Sequence, residues 1–373
     1  MREFKEIIAS YDQANRAGLQ CVLATVVRLE GSSYRRPGAR MLVTENGKMT
    51  GAISGGCLEG DALQKALLTF TEKKSKLVTY DTTDESDEVI GIQLGCEGII
   101  HILFEYIHSQ DPSNPIELMR LSQKKRQELV LVTGFDLTDK KNLQLGTCLL
   151  LNQEQLIAAK ENILPLVKFA QEEAAEVFNK RISQVKDYAH LNYTGNLLLQ
   201  FIQPAISLHI IGAGNDAIPL INIAHQLGWD VSVVDGRNTH ARKERFISAC
   251  QILVSKPEHV LEKIAIDSRT CFVLMTHNYQ YDIKMLAALL HQPISYIGIL
   301  GPKKKLQKMI AQLTDEGIAI TDSMLNKIYG PTGLEIGAET PEEIAISILA
   351  EIQAVFTNKQ GSMLRLKKDL IHS

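Results

Sequence analysis

Apolar residues follow two different rhythms along this chain. Phe4, Ile7, Ile8 and Tyr11 recur at helical spacing and predict an amphipathic first helix. Short apolar runs at Val22 to Val27 and Arg40 to Thr44 predict strands, and Asn46-Gly47 predicts a hairpin turn, so the first half is expected to hold a sheet with hairpins. Residues 161–187 read as one helix of mixed charge, and Leu197 to Ile202 as the strand that closes the first half. A weak internal echo runs at an offset of 108: Val22, Leu23, Thr25, Gly38 and Leu42 match Val130, Leu131, Thr133, Gly146 and Leu150. It suggests a degenerate duplication. The second copy lacks the Gly-Gly-Cys and Gly-Cys-Glu-Gly segments of the first, which points any chemistry to the first copy.

After Pro204 the rhythm changes. Strands are predicted at Leu208 to Ile211, Val231 to Asp235, Gln251 to Val254, Cys271 to Met275 and Tyr296 to Leu300, with helical stretches between them. One helix runs to about Leu227 with Gly228 as its C-cap. The last begins at Thr340-Pro341-Glu342-Glu343, a capping box with proline in the first turn, and carries its apolar face on Ile344, Ile348 and Ile352. Strands alternating with helices predict a Rossmann-like, doubly wound parallel sheet. The fold class expected is α/β: an N-terminal mixed α/β domain over residues 1–203 and a C-terminal Rossmann-like domain over 204–373.

Length agrees with two domains, because single cores stop growing near about 250–300 residues and the chain has 373. A net charge of −3 gives no global pull toward nucleic acid or anionic lipid. Charges interrupt the apolar residues of the N-terminus, which reads as neither signal peptide nor membrane span, and a cytoplasmic location is expected. The six cysteines form no CxxC pair, so neither a zinc ribbon nor a disulfide framework is expected. Cys21, Cys148, Cys250 and Cys271 lie in apolar runs and read as core. Cys57 and Cys96 stand among glycines.

Four segments carry residue types suited to a ligand. Gly212-Ala213-Gly214-Asn215-Asp216-Ala217 follows a strand and opens a helix, with Asp235 at the end of the next strand: the context of a dinucleotide fingerprint. Asp216 opposes a pyrophosphate there, since its carboxylate sits at the helix end the phosphates would use. In the second segment, Thr276-His277-Asn278 follows a strand, where His277 is placed to contact a ligand or to hold a metal with Asp282. Gly301 with Lys303-Lys304-Lys305 offers a glycine turn and cations for a phosphate. The third is Gly31 to Arg40, with Arg35, Arg36 and Arg40 as anion-binding forks. The fourth is Ser54-Gly55-Gly56-Cys57-Leu58-Glu59-Gly60, a glycine turn entering a helix, where a cysteine gains thiolate character and suits a soft centre. Cys96, in Gly95-Cys96-Glu97-Gly98, would offer a second sulfur if the two turns converge. For each segment the alternative is a solvated loop or a packed turn. No Ser-His-Asp set, HExxH motif, P-loop or carboxylate dyad emerges, so no catalytic residue is assigned.

Together these motifs resemble the xanthine dehydrogenase accessory family, XdhC/CoxI. The resemblance rests on Gly38-Ala39-Arg40-Met41 and Gly51 to Glu59 in the first half. In the second it rests on Ile211 to Gly214, Val234-Asp235-Gly236-Arg237, Thr276-His277, Ile299 to Pro302, Gly330-Pro331-Thr332-Gly333-Leu334 and Thr340 to Ala345. It implies a carrier rather than a metabolic enzyme: a protein that binds molybdenum cofactor, supports its sulfuration with a cysteine desulfurase, and assists insertion into a xanthine dehydrogenase-type apoenzyme. Any metal contact would come through that cofactor, with Cys57 the candidate. A homo-oligomer, taken as a dimer, is expected, with neither a nucleic-acid nor a membrane partner. The rival reading is an NAD(P)-dependent oxidoreductase; a third is a nucleotide-binding regulatory module without chemistry.

Overall fold

A computed structural model describes residues 2–31, 35–81, 98–139, 144–161, 163–190 and 193–367. The chain divides into two compact units, Met1–Pro204 and Ala205–Ser373. No helix among the described residues is long and apolar enough to cross a membrane.

The first unit is built twice from one plan. Helix α1 (Arg2–Arg16) precedes β1 (Cys21–Gly31), β2 (Arg40–Thr44), β3 (Met49–Gly51), α2 (Glu59–Glu72), β4 (Lys76–Asp81) and β5 (Gly98–Tyr106). Then α3 (Pro115–Leu121) precedes β6 (Leu129–Phe135), β7 (Gly146–Leu151), β8 (Leu156–Ala159), α4 (Leu164–Lys180), β9 (Gln184–His190) and β10 (Tyr193–Ile202). Each set forms a five-stranded antiparallel sheet, ordered β3-β2-β1-β5-β4 and β8-β7-β6-β10-β9. The registers correspond. Val22 pairs with Val43 and Leu23 with Leu42; 108 residues later Val130 pairs with Leu151 and Leu131 with Leu150. The fifth strands keep a different offset: Tyr106 faces Val22 and Phe201 faces Val130, 95 residues apart. The sequence echo is therefore a structural repeat, and the first copy carries 13 more residues between its fourth and fifth strands.

One boundary differs from expectation. The helix predicted over 161–187 ends at Lys180, where Arg181 takes φ +54 as a left-handed cap, and the chain continues as β9. Residues 184–187 contain no helix breaker; pairing with β10 decides their conformation. Val27, Leu77 and Leu103 of the first sheet pack with Phe135 and Leu198 of the second, while α2 and α4 cover the opposite faces through Ala62 and Ala66, and Ala170 and Ala174.

The second unit is a six-stranded sheet, wholly parallel. It comprises β11 (Ser207–Ile211), β12 (Asp230–Asp235), β13 (Gln251–Val254), β14 (Thr270–Leu274), β15 (Tyr296–Ile299) and β16 (Ile328–Tyr329), in the order β13-β12-β11-β14-β15-β16. Helices α5 (Ala217–Gln226) and α9 (Pro341–Phe356) pack on one face; α6 (Tyr279–Leu290) and α7 (Lys303–Asp315) pack on the other, with a short α8 (Asp322–Leu325) leading to the edge strand. This is the doubly wound arrangement expected. Gly228 (φ +79) closes α5, and Thr340 with Glu343 forms the capping box of α9. Cys250, expected in the core, is exposed instead: it precedes β13, an edge strand whose ends are uncovered.

Candidate functional site

Strand direction gathers the first half's motifs at one end of the first sheet. Thr25 pairs with Arg40, Met41 with Gly51, Gly31 with Gly98 and Asp81 with Ile99. The connections carrying the arginines, the Gly-Gly-Cys turn and residues 82–97 therefore all start and finish at that end. At the corresponding end of the second sheet, β9 passes to β10 with His190 paired to Tyr193. Cys96 lies outside the described residues.

The Gly-Gly-Cys turn is held by its own residues. The Ser54 hydroxyl donates to the Glu59 carboxylate and accepts from the N–H groups of Gly56 (3.2 Å) and Leu58 (3.1 Å), while the Ser54 N–H donates to Glu59 (3.0 Å). Burial pushes the Glu59 carboxyl up, and the Ser54 hydrogen bonds outweigh it, leaving its pKa below the usual value. Ser54 and Glu59 are thus the clamp of the turn. Gly55 and Gly56 are exposed, and Cys57 is half-buried two residues ahead of α2. Gly56 takes φ +110 with nothing within 4 Å of where a Cβ would stand, so the backbone beside Cys57 is open to a ligand.

The arginines separate into two kinds. Arg36 is exposed, and Arg35 lies 3.9 Å from Glu3. Arg40 is not part of that surface. It is fully buried, donating to Gly38 O (2.8 Å) and Gln200 Oε1 (2.5 Å), with its guanidinium 5.2 Å from the Phe4 ring. Burial pushes its pKa down to about 10, against the pull of Glu105 and Glu3. Both faces of β2 are buried, so this side chain has no solvent face to take, which a loop reading of Gly31 to Arg40 overlooks.

Gln200 and Glu105 escaped the sequence reading, and they link the two copies. Gln200 of β10 reaches Gly38 and Arg40 at the start of β2. Its counterpart Glu105, on β5, accepts from the N–H (2.6 Å) and hydroxyl (2.8 Å) of Thr147 at the start of β7. A Cβ at Gly38 or Gly146 would strike these two side chains respectively. A polar residue inside an apolar strand, as in Leu197 to Ile202, was the available signal.

Arg40→Ala is expected to cost about 3 kcal/mol or more, by removing packed volume and leaving the buried partners unsatisfied. Arg36→Ala should stay within about 0.5 kcal/mol. Urea midpoints of the two variants check this; equal midpoints would return Arg40 to the solvated loop.

In the second unit the expected residues do meet at the carboxyl end of the sheet, with altered partners. Asp235, expected as part of a dinucleotide fingerprint, accepts from Ala213 N (2.9 Å) and from Arg237 at its N–H (2.9 Å) and guanidinium (3.0 and 2.9 Å). Burial raises its pKa and the Arg237 and Ala213 hydrogen bonds outweigh that, leaving it below the usual value. Arg245, unremarked in the sequence, donates to Ala213 O (2.9 Å) and Asn215 Oδ1 (2.9 Å) and braces the Gly212–Gly214 turn.

Asp216 makes no capping bond to α5; its carboxylate lies 3.1 Å from His277 Nε2. His277 does not join Asp282. That carboxylate is wholly buried, accepting from the Thr276 hydroxyl (2.7 Å) and Lys305 Nζ (2.7 Å). Lys305 is thus an interior counter-ion rather than a phosphate ligand; Lys303 and Lys304 are exposed, and Gly301 (φ +121) makes the turn before them. Lys305→Met should cost about 2–4 kcal/mol by leaving a buried charge with too few partners. A variant as stable as the parent in urea would contradict that role. No group of three or more His, Cys, Asp or Glu suited to a metal occurs among the described residues.

Comparison with known proteins agrees with this architecture. The description "XdhC Rossmann domain" matches residues 208–352, and "XdhC and CoxI family" matches residues 14–81. A relative from Bacillus subtilis (strain 168), described as a probable subunit of xanthine dehydrogenase, is 31% identical over 338 residues, 89% of this chain and 92% of the relative. The chain belongs to the XdhC and CoxI family. A crystal structure described as a xanthine dehydrogenase from Bacillus halodurans superposes with a TM-score of 0.73 at 28% identity, covering 96% of this chain and 98% of that one. The molybdenum cofactor insertion chaperone PaoD of Escherichia coli (strain K12) is 23% identical over 343 residues, 92% of this chain and 86% of PaoD.

Within this XdhC-family chain, one motif that carried the resemblance, Gly330 to Leu334, is held by the fold itself. Gly333 N and the Tyr296 hydroxyl both donate to Glu351 of α9 (2.9 and 2.6 Å), Tyr296 also meets Thr332 (2.5 Å), and Ser347 donates to Leu334 O (2.5 Å). The Gly330 to Leu334 turn is thereby tied to the last helix.

Proposed function

We propose that this protein is a molybdenum cofactor carrier that supports sulfuration of the cofactor and its insertion into a xanthine dehydrogenase-type hydroxylase. The observation that carries the reading is the duplication. Two copies of one sheet share their registers, yet only the first has an exposed Gly-Gly-Cys turn and a 13-residue extension, both at the same end. A repeat kept as scaffold beside a copy elaborated at its loops is how a binding site is added to a stable frame.

The residues there suit the cofactor. Molybdopterin brings a phosphate, pterin hydrogen-bonding edges and a soft, sulfur-ligated metal. Arg35 and Arg36 would take the phosphate, the open backbone at Gly55 and Gly56 would admit the pterin, and Cys57 would face the sulfur-ligated centre, with Cys96 as a second candidate sulfur. Ser54 and Glu59 position the turn rather than touch the ligand. In the second unit, Gly212, Gly214, Asp235, Arg237, His277 and Gly301 stay candidate contacts for a cofactor or nucleotide bound to that unit by itself. The oxidoreductase reading is disfavoured there: Asp235 is already bonded to Ala213 and Arg237, and Asp216 faces the space a pyrophosphate would need. The resemblance to PaoD by name supports the carrier reading, which also implies cytoplasmic work with a cysteine desulfurase and an apo-hydroxylase, by a dimer.

Co-expression with cofactor biosynthesis intact, followed by metal and pterin analysis of the purified protein, tests the proposal. Pterin and molybdenum near one equivalent are expected. Substrate-dependent NAD reduction at ordinary enzymatic rates, without retained pterin, would overturn it.

A further inference from the structure

Beside the Asp216–His277 pair the second unit holds a cavity of about 230 Å³. It lies where β14 and β15 end and α5 and α9 begin. Met275, Leu300, Ile344 and Ile348 line much of it, and among the described residues Asp216 and Glu339 are the only charged ones in its wall. No cation lines it among the described residues, so phosphate and carboxylate ligands would meet two like charges there. An apolar cavity of about 150 Å³ takes up benzene, so this one has room for an aromatic ring and a short side chain.

The histidine is the second observation. His277 takes φ +56, a backbone conformation that non-glycine residues rarely adopt, and its side chain is 66% exposed where it meets Asp216. An exposed pair of this kind contributes little to stability, and left-handed backbone at a non-glycine residue is unfavourable. The contact therefore does not hold the fold together. It sets a nitrogen base against the Asp216 carboxylate at the cavity mouth, which no other described group engages.

We propose that this cavity binds a small organic ammonium, with its apolar body among Met275, Leu300, Ile344 and Ile348 and its charged head at Asp216 and Glu339. His277 is the internal occupant of the carboxylate, displaced when the ligand arrives. His277 is shared with the cofactor contacts proposed above, but the readouts differ: metal and pterin analysis tests the carrier reading, and ammonium titration tests this one.

Calorimetric titration of the full chain at pH 8 with benzylamine, benzyl alcohol and benzoate tests it. Benzylamine is expected to bind at least tenfold more tightly than benzyl alcohol, and benzoate not to bind. Asp216→Asn should lower benzylamine affinity to that of the alcohol and leave the alcohol unchanged. His277→Ala should raise benzylamine affinity two- to tenfold, because the competitor is gone; a merely structural histidine would not move it upward. Both substituted side chains are exposed, and a circular dichroism melt verifies their folding. Absence of binding by any probe, benzoate binding as well as benzylamine, an unchanged Asp216→Asn, or weakened binding in His277→Ala would each overturn the proposal.

Discussion

Gly212→Ala is expected to destabilise the parallel-sheet unit by about 4 kcal/mol, from backbone strain of about 2 kcal/mol and an overpacking cost of similar size. Gly212 has φ +126, and a Cβ there would stand 2.5 Å from the carbonyl oxygen of Met275, 2.6 Å from its carbon and 2.8 Å from Thr276 N. These are backbone atoms at the end of the neighbouring strand, held by Met275 N donating to Ile211 O (2.8 Å), so they cannot swing aside as a side chain would. Gly214, two residues on, is the control: nothing lies within 4 Å of its Cβ position. Gly214→Ala should therefore change stability by less than about 0.5 kcal/mol. Trp229, the single tryptophan, is buried in the core of this unit, so its fluorescence in a urea titration reads the effect. Equal midpoints for the two variants would show that the turn relaxes freely.

Cys57→Ser is expected to leave the fold intact and to lower delivery of active cofactor to a client hydroxylase at least tenfold, roughly the effect of losing one well-placed metal-centre contact. Cys57 is half-buried in a turn whose hydrogen bonds come from Ser54 and Glu59, not from its own side chain. Serine keeps the volume but offers a hard, protonated oxygen where a thiolate would meet a soft centre. Cys21 is the contrasting site. It is buried on β1, with its thiol pushed up to about 12 by burial, so it is inert as a nucleophile or ligand. Cys21→Ser should cost about 1–2 kcal/mol by burying a hydroxyl without a good partner and leave cofactor delivery per folded molecule unchanged. Normal cofactor occupancy and full client activation by Cys57→Ser would reduce Cys57 to a packing residue.

Periodicity by itself determined most of the elements and the class of each half. Ile344, Ile348 and Ile352 after a capping box, or Leu208 to Ile211 before a glycine turn, carry enough local information because spacing, cap and turn chemistry agree. Even the duplication was legible, since three of the matched residues, Val22, Leu23 and Leu42, keep their pairing register in Val130, Leu131 and Leu150. What the sequence left open was partnership. Arg40, Lys305 and Asp282 look like surface chemistry when read in line, yet each is turned inward to a partner contributed from elsewhere in the fold: Gln200 for Arg40, and Asp282 for Lys305. Likewise His277 meets Asp216, 61 residues away, rather than Asp282 five residues on. Local propensity acts over a few residues and is written in the order of the chain. Charge pairing and burial act through space, and only the packed sheets bring residues such as Arg40 and Gln200 to within one hydrogen bond.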